Sequence, residues 1–177
     1  MNQLRFQALL RLGIVGLAAA AALTIAACGG GGTARSSPLG VIDQATRTVQ
    51  LNLIITGSNL NGYSNGQMAV RVPRGWKVDV YCSNQASTPQ SCAVVSGAGS
   101  RSPVFSGAAS PDPATGVPAG EAASFSFIVR TVGSYRVASL VPGHKNGGIW
   151  EHFEVVAAGT PSVVETRATH PTRPGAL

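Results

Sequence analysis

Charged and aromatic residues are scarce in this chain of 177 residues, and no stretch carries a block of one sign. Asp, Glu, Lys and Arg together make up 11% of the residues, and aromatic residues make up 6%. Domains that bind nucleic acid carry clustered Lys and Arg, often with aromatic side chains that stack on bases. The net charge of +6 comes from scattered positions. A nucleic-acid partner is therefore not predicted.

Side chains that bind metals or act as nucleophiles are also few. The chain has three cysteines, two methionines and three histidines. Its serines are numerous, but they follow no pattern that would bring together a nucleophile, a base and an orienting acid. The Gly29–Gly32 run follows no predicted strand and opens no helix, so it is not a phosphate-binding loop. We therefore do not expect an enzyme.

The longest apolar run is too short to cross a membrane comfortably. The uncharged segment Gly13–Ala27 follows Arg5 and Arg11 and ends in small residues. A membrane-spanning helix needs about 20 apolar residues. A secretory signal has this shorter length, a positive flank and a small-residue end. Residues 1–27 are therefore predicted to be a signal peptide.

The residues at the predicted cleavage point, Ile25–Gly29, resemble the lipobox of bacterial lipoproteins. In that family the cysteine, here Cys28, becomes the lipidated first residue of the mature chain. The resemblance implies export and a lipid anchor in the bacterial cell membrane or outer membrane, with the domain facing the periplasm or the cell exterior. An ordinary signal peptide with a chance cysteine is the alternative. Acyl chains contribute about 0.8 kcal/mol per buried CH₂, so several chains would hold the protein at a bilayer.

Export would place the remaining cysteines, Cys82 and Cys92, in an oxidising compartment. Such compartments favour disulfides, so we predict that these two residues pair. The alternative is two reduced thiols that act as soft metal ligands.

Residues 45–158 consist of short segments with apolar residues at every second position, separated by Gly and Pro. This pattern predicts an all-β sandwich or barrel of about seven to eight strands without substantial helix. Residues 28–44 are rich in Gly and Ser and are predicted to be a flexible tether. Residues 159–177 have little to bury and are predicted to be a disordered tail. The predicted strands are Thr48–Ile55, Met68–Val72, Trp76–Cys82, Cys92–Val95, Phe125–Val129, Tyr135–Leu140 and Trp150–Val156.

The segment Tyr135–Trp150 resembles the C-terminal copper loop of the cupredoxins, and most of all that of the sulfocyanin group. In those proteins a strand delivers a Cys, a Pro-Gly turn follows, and a His and then a Met come at intervals of five residues. Here Pro142-Gly143 forms the turn and His144 follows it. The segments Asn61–Gln67 and Val72–Val78 are similar to the N-terminal half of sulfocyanins. The likeness spans roughly residues 60–157 and implies a Greek-key cupredoxin sandwich.

The resemblance also implies four copper-ligand positions, and three of them hold other residues. Gln90 stands in place of the first His, Ser139 in place of the Cys and Ile149 in place of the axial Met, while His144 is retained. A blue-copper centre needs two imidazoles and a thiolate, usually with a weak thioether. A serine hydroxyl stays protonated near neutral pH and is a poor donor to copper. Copper is the family's cofactor, but no cofactor is expected here.

Other residues offer little to rebuild such a centre. Cys92 lies two residues beyond Gln90 and is the substitute ligand beside His144 if no disulfide forms. His152 is predicted to point outward from its strand, and His170 lies in the predicted tail.

The hypothesis that follows is a lipid-anchored envelope module that binds or assembles with a protein partner and does not transfer electrons. The surface around the former ligand positions, formed by Val141, Pro142, Gly143 and Ile149, is apolar and is predicted to contact the partner. The alternative is a copper-binding or electron-transfer cupredoxin whose remodelled site uses His144 and Cys92.

Overall fold

The computed structural model describes residues 35–37, 40–144 and 149–165. The predicted signal peptide, the predicted lipid-attachment residue Cys28 and His170 lie outside these ranges. Within the ranges, no helix has the length and apolar character that a membrane crossing requires.

Within these ranges, ten β-strands form two five-stranded sheets. The first sheet has the order β1-β2-β3-β5-β7, and the second has the order β10-β4-β9-β8-β6. No α-helix occurs in the described ranges, and the predicted all-β sandwich is confirmed. The strands are β1 (Arg35–Ser37), β2 (Gly40–Asp43), β3 (Thr48–Ile55), β4 (Met68–Pro73), β5 (Lys77–Asn84), β6 (Ala93–Val95), β7 (Ala122–Ile128), β8 (Gly133–Ala138), β9 (Trp150–Val156) and β10 (Ser162–Glu165).

Alternating apolar side chains build the core between the two sheets, as the sequence pattern predicts. Successive side chains of a strand point to opposite faces, so every second residue enters the core. Burying one such apolar side chain contributes roughly 1.5–3 kcal/mol. The buried residues of β3, β5, β7 and β9 include Val49, Leu51, Leu53, Ile55, Val78, Val80, Cys82, Phe127, Phe153 and Val155.

Three short strands lie outside the range predicted for the domain. Strands β1 and β2 fall within residues 28–44, which were predicted to be a tether, and β10 falls within the predicted tail. Strand β2 pairs with β3, and β10 pairs with β4 at the edge of the second sheet. Strands of three or four residues are too short to display a clear alternation, so composition alone assigned them to flexible segments. The sheets therefore extend beyond residues 45–158.

The long connection between β6 and β7 covers β6. The amide of Val94 donates to the carbonyl of Ala108 at 2.9 Å, and the amide of Val104 donates to the carbonyl of Val94 at 2.8 Å. A small buried cluster of Ala93, Val95 and Leu140 lies in this region. These contacts hold the backbone of the connection against β6.

The predicted disulfide between Cys82 and Cys92 is confirmed, with the two Cα atoms 6.1 Å apart. Cys82 belongs to β5 in the first sheet, and Cys92 directly precedes β6 in the second. Closing so short a loop contributes about 2–3 kcal/mol in the chain-entropy model. The bond therefore connects the two sheets through the buried core.

Candidate functional site

The four residues at the family's ligand positions come from separate elements that meet at one end of the sandwich. Gln90 lies in the connection before β6, Ser139 directly follows β8, and Ile149 directly precedes β9. His144 follows the Pro-Gly turn, where Gly143 adopts a φ of +91°. That backbone conformation favours glycine, which agrees with the predicted turn.

The side chains of Gln90 and His144 form a direct hydrogen bond. The Nδ1 atom of His144 lies 3.0 Å from the Oε1 atom of the buried Gln90 side chain. Two backbone hydrogen bonds with Val117, of 3.1 and 2.6 Å, hold Gln90 in place. Gly116 permits this close approach, because a Cβ atom there would lie 2.9 Å from the Gln90 carbonyl oxygen and its φ is +85°. The retained imidazole therefore has an amide as its neighbour in the site.

Ser91 and Ser139 form a second, reciprocal set of hydrogen bonds. The amide of Ser91 donates to the Ser139 Oγ atom at 3.2 Å, and the amide of Val141 donates to the same oxygen at 3.4 Å. The amide of Leu140 donates to the Ser91 Oγ atom at 2.8 Å. Both hydroxyl groups are buried. The oxygen at the family's thiolate position therefore serves as an acceptor for backbone amides.

Asn84 shapes the loop that carries Gln90. Its Nδ2 atom donates to the carbonyls of Thr88 at 3.0 Å and Val117 at 2.8 Å, and its Oδ1 atom accepts from the amide of Ala86 at 2.9 Å. The side chain is fully buried. Its role as a three-way link between backbone segments was not predicted from the sequence.

The predicted partner surface is only partly exposed. Pro142 and Gly143 are exposed and Val141 is half-buried, but only 6% of Ile149 is accessible. Ile149 belongs to the main apolar core because its side chain turns inward just before β9. The prediction that Ile149 contacts a partner is therefore wrong.

A small cavity lies beside the ligand positions. Its volume is about 20 Å³, and its lining includes Ser139, His144 and Ile149. A volume of this size accommodates about one water molecule, whereas small-molecule sites occupy roughly 300–1,000 Å³. The cavity is therefore too small for an organic ligand.

Glu151 is a buried acid that the sequence analysis did not identify. It lies on β9 with the same strand parity as Phe153 and Val155, and none of its surface is accessible. Its Oε2 atom accepts from the amide of Met68 at 2.7 Å, while its Oε1 atom has no hydrogen-bond partner among the described residues. Burial raises the pKa of Glu151 to about 7, against a smaller lowering by the Met68 amide. Strand parity was the signal that placed this residue in the core.

The arrangement defines the class of the protein. The protein has the architecture of a cupredoxin. Its two-sheet sandwich brings four segments together at one end: the loop before β6, the residue after β8, the Pro-Gly-His turn and the residue before β9. The chain belongs to the sulfocyanin family, because the model of the Sulfocyanin (SoxE) domain matches residues 38–164.

Solved structures with similar folds are distant in sequence. A multicopper oxidase from Campylobacter jejuni is 14% identical with a TM-score of 0.50, and the match covers 64% of this chain and 27% of that one. An auracyanin from Roseiflexus castenholzii is 14% identical with a TM-score of 0.48, over 60% of this chain and 96% of that one. Auracyanin A from Chloroflexus aurantiacus, described as a blue copper protein, is 13% identical with a TM-score of 0.45, over 62% and 99%. None of the curated proteins compared with the chain matches it.

The donors at the site do not fit a blue-copper centre. One imidazole is present, and its Nδ1 atom is bonded to Gln90. The Ser139 oxygen accepts two amide hydrogens, and Ile149 offers only hydrocarbon. Cys92 is consumed by the disulfide, so the alternative in which it replaces the lost thiolate is contradicted. The described ranges contain no group of three or more His, Cys, Asp or Glu residues that could hold a metal ion.

Proposed function

We propose that this protein is an exported, lipid-anchored member of the sulfocyanin family that acts as a protein-binding or assembly module. Under this proposal it is not an enzyme and does not transfer electrons. The observation that argues against electron transfer is the direct hydrogen bond between His144 and Gln90. That bond, together with the serine pair, connects the loops at this end of the sandwich without a metal ion.

Anchoring through Cys28 is proposed on the lipobox likeness. A disulfide in the domain supports export, because such bonds persist mainly in oxidising compartments. The domain would then stand at the surface of a bacterial membrane, facing the periplasm or the cell exterior.

The proposed contact surface is the end of the domain around Val141, Pro142 and Gly143. A groove of about 310 Å³ is lined there by Arg101, Ala114, Leu140, Pro142 and Gly143. Apolar side chains beside the Arg101 guanidinium suit a protein segment with an apolar residue and a carboxylate. Such a mixture of apolar anchors and arginine is typical of protein interfaces.

The loss of copper chemistry can be tested by rebuilding the donor set. The triple variant Gln90→His, Ser139→Cys and Ile149→Met restores the donors of a blue-copper centre on the family's positions. We expect this variant to bind one copper ion and to show the intense visible absorption of a copper–thiolate bond. The wild-type chain should bind no stoichiometric copper when purified and loaded in the same way. Metal analysis and absorption spectroscopy measure both outcomes.

The Ser139→Cys variant alone is the matched control, because it adds the thiolate without the second imidazole. We expect weaker copper binding than in the triple variant. Stoichiometric copper in the wild-type chain, reduced by His144→Ala, would contradict the proposal and favour the copper-protein alternative.

The contact surface can be tested by charge reversal in the groove. Arg101→Glu and Ala114→Glu should each abolish co-purification of the same envelope protein with the natively anchored chain, because both place a carboxylate in the groove. Val132→Glu changes an exposed apolar residue in the connection between β7 and β8 and serves as the control. Retention of every co-purified protein by both groove variants would count against this surface.

A further inference from the structure

Six of the side chains on the outer face of the first sheet form a regular grid of two rows. Strand β3 pairs with β5 so that Gln50 lies opposite Asp79, and Asn52 lies opposite Tyr81. Strand β5 pairs with β7 so that Ser126 continues the first row and Ser124 continues the second. Neighbouring strands lie about 4.8 Å apart, and residues two apart on one strand lie about 6.7 Å apart. The six side chains therefore form a continuous patch across β3, β5 and the edge strand β7, which we call the polar grid.

Tyr81 is the apolar centre of the polar grid. Half of its surface, 50%, is accessible, which makes it one of three large hydrophobic residues that are exposed in the described ranges. A groove of about 280 Å³ runs along the grid and is lined by Tyr81 and the five polar residues around it. An aromatic ring that packs against nothing in the core contributes little to folding. It presents a flat face to any ligand that enters the groove.

The residues around Tyr81 supply hydrogen-bonding groups in high density. Asn52 and Gln50 each offer an amide with donors and an acceptor, and Ser124 and Ser126 each offer a hydroxyl group. All four are exposed. Burial of Asp79 tends to raise its pKa, but hydrogen bonds from Lys77 and Ser126 outweigh this effect and lower it. Asp79 therefore presents a carboxylate acceptor.

The polar grid carries no uncompensated charge. The Nζ atom of Lys77 lies 2.7 Å from the Oδ1 atom of Asp79, so this ion pair is neutral as a unit. A polyanion such as nucleic acid finds no free cation in the grid, and an apolar protein segment would desolvate five polar side chains. The complementary ligand is uncharged, rich in hydroxyl groups and able to stack on a ring through its C–H face.

We propose that the polar grid binds a neutral oligosaccharide chain. One sugar ring would stack on Tyr81, and its hydroxyl groups would exchange hydrogen bonds with Asn52, Gln50 and the two serines. This site is separate from the copper-ligand positions and does not depend on the function proposed for them.

The proposal can be tested by titrating the full chain with three uncharged hexasaccharides, maltohexaose, cellohexaose and chitohexaose, in isothermal calorimetry. We expect at least one of them to bind. Tyr81→Ala should weaken that binding by about tenfold because the stacking platform is lost. Tyr81→Phe keeps the ring and should bind within about threefold of the wild type. Asn52→Ala should weaken binding by about fivefold, the value of one hydrogen bond.

Val132→Ala removes an exposed apolar side chain outside the polar grid and should leave the affinity unchanged. Circular dichroism of each variant checks that the sandwich is intact. The proposal is overturned if a folded wild-type chain binds none of the three sugars at millimolar concentration, or if Tyr81→Ala binds as tightly as the wild type. It is also overturned if sedimentation shows a dimer that Tyr81→Ala dissociates, because the grid would then be an interface between two copies of the chain.

Discussion

Two buried polar regions of this protein differ in how their hydrogen bonds are satisfied. At the copper-ligand end, Gln90 is bonded to His144, and Ser91 and Ser139 accept backbone amides. In the core, Glu151 has one oxygen bonded to the amide of Met68, and its other oxygen has no partner in the described part of the chain. In the first region each of these polar groups has a hydrogen-bond partner, whereas in the second region a buried carboxyl group has one oxygen without a partner among the described residues.

The difference shows which buried polar groups a fold tolerates at low cost. A buried polar atom without a partner costs about 1–3 kcal/mol, and a buried charge costs more. At the family's copper-ligand positions, Gln90 pairs with His144, and Ser139 accepts backbone amides. Glu151 escapes the largest penalty by keeping its proton, because burial raises its pKa to about 7. The two regions should therefore respond differently to pH.

Stability should fall as the pH rises through the titration of Glu151. In the unfolded chain this carboxyl titrates near 4.5, and in the folded chain near 7. Between these values the folded state holds a proton that the unfolded state has lost. The contribution of Glu151 to the free energy of unfolding is therefore fully present below pH 4.5 and is lost as the pH rises to about 7, a decrease of about 2–3 kcal/mol. Urea unfolding at pH 5 and pH 8 measures the change.

The Glu151→Gln variant isolates this effect. Glutamine keeps an oxygen for the Met68 amide and cannot ionise, so we expect a stability that varies little between pH 5 and 8 and exceeds the wild type at pH 8. Glu154→Gln on the same strand breaks an exposed ion pair with Arg71 and should cost less than about 1 kcal/mol. An unchanged pH profile in Glu151→Gln would show that Glu151 does not titrate in this range.

Removing a hydrogen bond of the Ser91–Ser139 pair should lower the free energy of unfolding by an amount that does not vary with pH. Ser91→Ala leaves the amide of Leu140 without its acceptor at a buried position. We expect a loss of about 2 kcal/mol in the free energy of unfolding, equal at pH 5 and pH 8. Ser124→Ala removes an exposed hydroxyl and should stay within about 0.5 kcal/mol of the wild type. A loss from Ser91→Ala that changed with pH would contradict the contrast between the two regions.

The hydrogen bond between His144 and Gln90 should contribute less to the free energy of unfolding than Glu151 or Ser91 does, because the histidine is half-buried. A double-mutant cycle with His144→Ala and Gln90→Ala measures the coupling between the two side chains. We expect about 1 kcal/mol, the value of one net hydrogen bond. A coupling near zero would mean that the two side chains are not bonded in solution.

Much of the fold followed from the sequence because burial leaves a periodic trace. Strand β3 was predicted with the bounds that the structure has, and the burial of β5 and β7 alternates as the apolar pattern predicted. The same strand alternation places Glu151 inside. Its burial was not predicted, because acidic residues are seldom buried without a partner. Strands β1, β2 and β10 are too short for a period to be detected.

The substitutions at the copper-ligand positions were visible in the sequence, but the way they pair was not. The bond from Gln90 to His144 depends on the side-chain conformations of two loops that are far apart in the sequence. The polar grid depends on the register between β3, β5 and β7, which no local pattern specifies. Burial of Ile149 was missed because the resemblance placed it at a rim that, in copper proteins, surrounds a metal.

The disulfide gives the domain a different requirement for maturation. A metal centre joins distant loops once the ion has been delivered, whereas Cys82 and Cys92 join the two sheets as soon as their thiols are oxidised. Under the function proposed above, this chain would reach its final form without a supply of copper, and in a reducing compartment its two sheets would lack their covalent link.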